Sequence, residues 1–254
     1  MPGSPSELTF TPIRGVPEVR PGDNVAELLW AAAARQSLRL GAGDVLVVAH
    51  KVVSKAEGRL VDLKTVVPSP FARRAAAELK KDPRLVEVIL SETRRIVRLD
   101  QGVLVAETHH GLVCANAGVD QSNVPGEGVV ALLPQDPDAS ARALRKALED
   151  RAGCRLGVII ADTFGRPWRE GLVNVAVGVS GVPALRDYRG RKDPYGFLLV
   201  GTQMAVADEL ASAAELVMGK VEGVPAVLVR GLPLPEGEGS AADLLRPPER
   251  DIFR

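Results

Sequence analysis

Two short stretches concentrate the side chains that can do chemistry, CANAGVDQSN (114–123) and ADTFGRPWREG (161–171). Asp162 offers hard carboxylate oxygens and Thr163 a hydroxyl, donors that suit Mg²⁺ or Mn²⁺, ions that keep water and phosphate oxygens as their other ligands. Asp120, flanked by Asn116, Ser122 and Asn123, is a second acid in a similar setting. Two acids at the ends of two strands can converge on one metal; the plainer reading of each stretch is an Asx turn closed on its own backbone. Arg166 and Arg169 add planar forks that bind phosphate in bidentate fashion, with Glu170 to orient one of them, unless all three form an ion-paired turn. HKVVSK carries Lys51 and Lys55 four apart as point charges for phosphate or as two solvated lysines. RDYRGRKDPYG sets Arg186, Arg189, Arg191 and Lys192 among Asp187 and Asp193, either a phosphate site or a self-neutralising loop.

Familiar nucleotide devices are missing. Gly219-Lys220 is followed by Val221 and preceded by a helical segment, so it is no P-loop. GEGVVA, from Gly126, follows a Pro-containing loop rather than a strand, which sets aside a dinucleotide fingerprint. His109 and His110 are adjacent, and neighbours on a strand point to opposite faces, so they do not readily chelate one ion. No Ser-His-Asp or Cys-His arrangement stands out.

These residues sit between segments that read as a mixed α/β protein, with apolar runs of strand length alternating with helical periods. GDNVAELLWAAAARQSL is a helix capped by Asp23 or Asn24, with Val25, Leu28, Leu29 and Ala32 on one face. DVLVVA, from Asp44, reads as a buried strand running into a polar loop at HKVVSK, and LGVIIA as a second buried strand that ends just before Asp162. SPFARRAAAELKK and DPRLVEVILSETRRIV start with a cap residue and proline and read as consecutive helices. GVLVAE, GLVCANA and GVVALLP are short strand-like runs between Gly and Pro. DPDASARALRKALEDRAG is a helix closed by Gly153, and QMAVADELASAAELVMG a later one. GLVNVAVGVSG and PAVLVRG complete the strands. Residues 1–232 thus form the catalytic body, as one unit or two subdomains, and 233–254 a tail that docks on it or on a partner subunit.

A chain of 254 residues with 46% hydrophobic content buries roughly three quarters of its unfolded surface and needs no cross-links. Lys+Arg and Asp+Glu are equal at 32 each, so no basic field draws in nucleic acid or anionic lipid, and a small-molecule substrate is the better expectation. The two cysteines, Cys114 and Cys154, read as reduced and buried, in keeping with a cytoplasmic protein. Neither a leader pattern nor a membrane-length apolar run is present in the sequence.

In order along the chain, GVPEV, HKVVSKAEGR, ETHHGLVCANAGVDQSNVPGEG, ADTFGRPWREG, DYRGRKDPYG, AVADELASAAELVMGK and LLRPPERDIFR together closely resemble the coenzyme F-420:L-glutamate ligase family. GLVCANAGVDQSN and ADTFGRPWREG are the most specific pieces, and the resemblance spans nearly the whole chain. It implies a mixed α/β fold peculiar to that family, with mixed sheets and packed helices. It also implies a GTP-dependent, homodimeric ligase that adds L-glutamate to coenzyme F-420-0, through γ-linkage after the first residue. Mg²⁺ or Mn²⁺ at two sites and K⁺ are implied as cofactors. The metal ligands of the family map onto Asp120, Asp162 and Thr163. Its GTP contacts map onto Val16, Pro17, Glu18, Val19, His50, Lys51, Lys55, Asn123, Met218, Gly219 and Lys220. Small hydroxyl residues occur elsewhere in the family where this chain has His50-Lys51. The residue after Gly219 is, in some members, a glutamine associated with the second metal; Lys220 is a cation, a poor metal ligand, and suits phosphate better.

The implied chemistry activates a carboxylate as an acyl phosphate, which an amine then attacks. Alignment and charge neutralisation dominate such a transfer, and Lys55 and Arg166 are the candidate catalytic cations. A metal-dependent phosphatase or nucleotide hydrolase would use the same side chains, and a nucleotide-binding regulatory module is the alternative outside enzymes.

Overall fold

The computed structural model describes residues 7–100, 102–233 and 237–251. Its elements in chain order are β1 (Thr9–Ile13), α1 (Val25–Arg35), β2 (Val45–Ala49), α2 (His50–Ala56), β3 (Leu60–Asp62), α3 (Pro70–Leu79), α4 (Pro83–Ser91), β4 (Thr93–Asp100), β5 (Val103–Thr108) and β6 (Val113–Ala115). They continue with β7 (Val129–Ala131), α5 (Pro137–Ala152), β8 (Gly157–Arg166), β9 (Arg169–Ser180), β10 (Arg186–Asp187), β11 (Gln203–Met204), α6 (Val206–Met218) and β12 (Ala226–Arg230). The mixed α/β reading holds.

A five-stranded sheet in the order β1-β12-β2-β8-β9 forms the centre, with β2 and β8 parallel and the other pairs antiparallel. Side chains alternate across a strand, so β2 and β8 feed two cores at once. Leu46, Val48, Val158 and Ile160 face α1 and α5, while Val45, Val47 and Ile159 face the Ala207, Leu210, Ala211 and Ala214 stripe of α6. Both faces being covered explains why these strands read as unbroken apolar runs. Gly178 lets β9 approach α5, since a Cβ there would lie 2.4 Å from the Pro137 carbonyl oxygen. A third core joins α3 and α4 to β5 and β7 through Ala72, Ala76, Ile89, Leu104 and Val130. It sits beside a β4-β5-β6 sheet and a β3-β7 pair.

The capping signals behave as the sequence suggests. Asn24, Ser69, Asp82 and Asp136 each accept a backbone N–H at a helix start, and Gly153 ends α5 with φ 66°. Three expectations are corrected. HKVVSK is helix, not loop, because α2 starts directly at the end of β2 and buries Val52 and Val53. The segment TRRIV belongs to β4 rather than to the preceding helix, since α4 stops at Ser91 and Thr93 pairs with Thr108. The strand carrying LGVIIA does not end before Asp162 but runs to Arg166, because β9 pairs with it over that whole length. Pro167 and Trp168 alone make the hairpin turn, Trp168 taking φ 58° where glycine is usual.

The tail keeps contact with the body within the described residues. Glu238 pairs with Arg145 at 2.5 Å and accepts the Gly181 N–H. Asp138 accepts the Ser240 hydroxyl and the Ala241 N–H. Residues 234–236 and 252–254 of the expected tail, and 1–6 at the other end, lie outside the described residues.

Candidate active site

Parallel strands end together, and the ends of β2 and β8 open one cleft of about 680 Å³. Such a crevice at strand C-termini is where open α/β sheets bind ligands. The register puts Ala49 beside Ala161, so the next residues, His50 and Asp162, meet at its floor. His50 Nε2 lies 3.2 Å from Asp162 Oδ1, with the imidazole only 2% exposed. The two groups lie in contact without an aligned hydrogen bond, since the buried Nε2 has no hydrogen-bond partner among the described residues. Burial alone would raise the Asp162 pKa, but the neighbouring His50, the Thr163 amide and Lys51 outweigh it and hold the carboxyl below its usual range.

Asp120 arrives from the other core, fixed by reciprocal backbone hydrogen bonds with Ala131. Its Oδ2 receives Lys51 Nζ at 2.6 Å and the Ser122 hydroxyl at 2.7 Å, and its Oδ1 the Ser122 N–H at 2.9 Å. Burial pushes its pKa up, yet these hydrogen bonds win and lower it to about 2. The Asx turn and the site residue are therefore the same group. Lys55, 9% exposed, donates to Glu18 at 2.6 Å. Lys220 Nζ donates to Thr163 Oγ1 at 2.7 Å and to Asn174 Oδ1 at 3.2 Å.

Val16, Pro17, Glu18, Val19, His50, Lys51, Lys55, Asp120, Asn123, Asp162, Thr163, Met218, Gly219 and Lys220 all line this cleft. Arg166 does not line it; it donates to the Glu170 and Gly171 carbonyls and closes its own hairpin. Arg189 pairs with Asp187 two residues away, the self-neutralising arrangement. The histidine pair is structural: His109 donates to Ser91 O, and His110 to Pro134 O and Gln135 O. Both cysteines are free, and burial lifts the Cys114 thiol to about 12, which makes it inert. Trp168 is 79% exposed at the hairpin tip, so it does not pack beneath the loop.

Asn174 is a cleft residue that the motifs did not single out. It pairs across the strands with Thr163 and is 5% exposed. The signal was present: one amide in the otherwise apolar β9 run LVNVAV, and buried amides seek partners.

The carboxylates of Asp120 and Asp162 with the Ser122 hydroxyl make a hard donor set that fits Mg²⁺ or Mn²⁺. No cluster of three or more His, Cys, Asp or Glu is present among the described residues.

Acids, hydroxyls and lysines, of which Lys55 is buried, thus gather at the strand ends of an α/β enzyme. Residues 14–231 match the F420-0:Gamma-glutamyl ligase family, and the chain belongs to it. It is 52% identical to the coenzyme F420:L-glutamate ligase of Methanopyrus kandleri over the full length of both chains. It is 48% identical to that of Methanothermobacter thermautotrophicus, over 97% of this chain and 99% of the relative. Against the one from Archaeoglobus fulgidus the identity is 45%, over 96% and 95%. None of the helices among the described residues is long and apolar enough to cross a membrane.

Proposed function

We propose that this chain ligates L-glutamate to coenzyme F420-0 at the expense of GTP, working as a cytoplasmic homodimer with Mg²⁺ or Mn²⁺ and K⁺. Family membership supports the ligase reading, and one observation carries its chemistry: Asp120 and Asp162, from separate cores, line a single cleft with three lysines. A carboxylate and an amine do not condense unaided. The γ-phosphoryl of GTP passes to the F420-0 carboxylate oxygen, giving an acyl phosphate and GDP. The glutamate nitrogen then attacks that carbonyl, inorganic phosphate leaves, and the amine loses a proton.

Val16–Val19, Asn123 and the Met218-Gly219 turn form walls for the nucleotide. Asp120 and Asp162 would hold a divalent cation, which would supply charge neutralisation on phosphate oxygens. Lys51, which pairs with Asp120 at 2.6 Å, would be released to face phosphate if a cation took that carboxylate. Lys55, held within the wall by Glu18, meets the transferring phosphoryl as a fixed ammonium.

The test is incubation with GTP, Mg²⁺ and F420-0, with and without L-glutamate, reading coenzyme mass and phosphate release. A mass gain of one glutamyl unit with matched phosphate is expected. Glutamate-independent phosphate release without a mass gain overturns the proposal.

A further inference from the structure

Thr163, Asn174 and Glu215 converge on one point at the end of α6, and each brings an oxygen. Lys220 Nζ occupies that point, 2.7 Å from Thr163 Oγ1, 3.2 Å from Asn174 Oδ1 and 3.5 Å from Glu215 Oε1. The ammonium donates to the first two oxygens and pairs with the third by charge. Thr163 spends its own hydroxyl proton on Asn174 Oδ1 at 2.8 Å, so it turns a lone pair toward Lys220. Lys220 follows directly on the C-terminus of α6, which ends at Met218 with no basic residue in its last turn, the helix end that favours a cation. Hydroxyl, amide and carboxylate oxygens around one point are also what a small hard metal ion binds. An ammonium and such an ion cannot share these oxygens. A second divalent cation at Thr163 therefore does not fit this chain as Lys220 stands.

We propose that Lys220 is a tethered cation: its ammonium takes the place of a bound metal ion on the Thr163, Asn174 and Glu215 oxygens, so the protein holds one divalent cation in the cleft rather than two. The charge that a second ion would bring is supplied by the chain itself. Removing it exposes the oxygens and creates a metal site.

Mn²⁺ titration of the full chain without nucleotide, with free Mn²⁺ counted by electron paramagnetic resonance, tests this directly. The Lys220→Gln variant is expected to bind one more Mn²⁺ per chain than the wild type, and Lys220→Met likewise. Adding Glu215→Gln to Lys220→Gln removes a carboxylate from the new site and returns the count to that of the wild type. Two Mn²⁺ per wild-type chain overturn the inference, whatever the variants do. Equal counts in the wild type and in either variant, with melting curves showing both folded, overturn it as well. A wild type that binds no Mn²⁺ counts against the metal held by Asp120 and Asp162 in the proposed function, while the difference between wild type and variant still decides the role of Lys220.

Discussion

Two carboxylates beside opposite ends of β2 are treated in opposite ways. At its start, Asp44 is 2% exposed and fully matched, accepting Arg230 through two nitrogens at 2.8 and 2.6 Å and the Gly41 N–H at 2.7 Å. Past its far end, Asp162 is 12% exposed and leans on an imidazole that makes no aligned hydrogen bond to it. A saturated carboxylate holds structure; one with lone pairs left over is available to a ligand. The same sheet thus spends one acid on stability and another on chemistry.

Removing the charge of Asp162 should make the widest difference. Asp162→Asn is expected to lower ligase turnover roughly 10³-fold, about 4 kcal/mol, in a chain that still folds, with a melting temperature unchanged or somewhat lower because the lowered pKa makes the charge stabilising. A variant with full activity would reduce Asp162 to a packing residue. The other end should respond inversely. Arg230→Ala strands Asp44 and is expected to cost about 2 kcal/mol of stability, less than a fully buried pair because Arg230 is half exposed. Urea melts read that loss, and activity per folded molecule should persist; a loss of kcat at constant stability would erase the contrast between the ends.

Asp120 gives a smaller, pH-dependent effect in the metal-free protein. Its pKa falls from 3.8 to about 2 on folding, so it contributes stability above pH 3.8 that disappears as pH falls toward 2. Because the group is part exposed, the contribution is about 1 kcal/mol after solvent screening. Lys51→Met should flatten that part of the stability-pH curve, and an unaltered curve would show that Lys51 does not set the shift. Smallest of all is Arg166→Ala, expected within about 0.5 kcal/mol in both melting and turnover, since this guanidinium serves its own hairpin. A large kinetic loss there would bring the hairpin tip into the chemistry.

Much of this was legible from residues alone. Cap residues marked helix starts because a side-chain oxygen and a free backbone N–H are local partners, and β2 and β8 declared themselves by apolar runs that only a sheet covered on both faces produces. The end of β8 was not legible. Asp162, Thr163 and Arg166 look like loop in isolation, and only pairing with β9 makes them strand. Likewise HKVVSK reads as polar loop until α2 turns its valines inward.

By itself the sequence determined the family, the mixed α/β class, and which acids, hydroxyls and lysines are available, because these depend on composition, spacing and local hydrogen bonding. Only the tertiary structure decided which of them meet. Asp120 and Asp162 are 42 positions apart and come from different cores; Asn174 reaches Thr163 through strand register; Lys220 closes on both across the cleft. Arg166, a few residues from Asp162, is left out. Separation along the chain does not fix separation in space, and long-range pairing of strands is what converts one into the other.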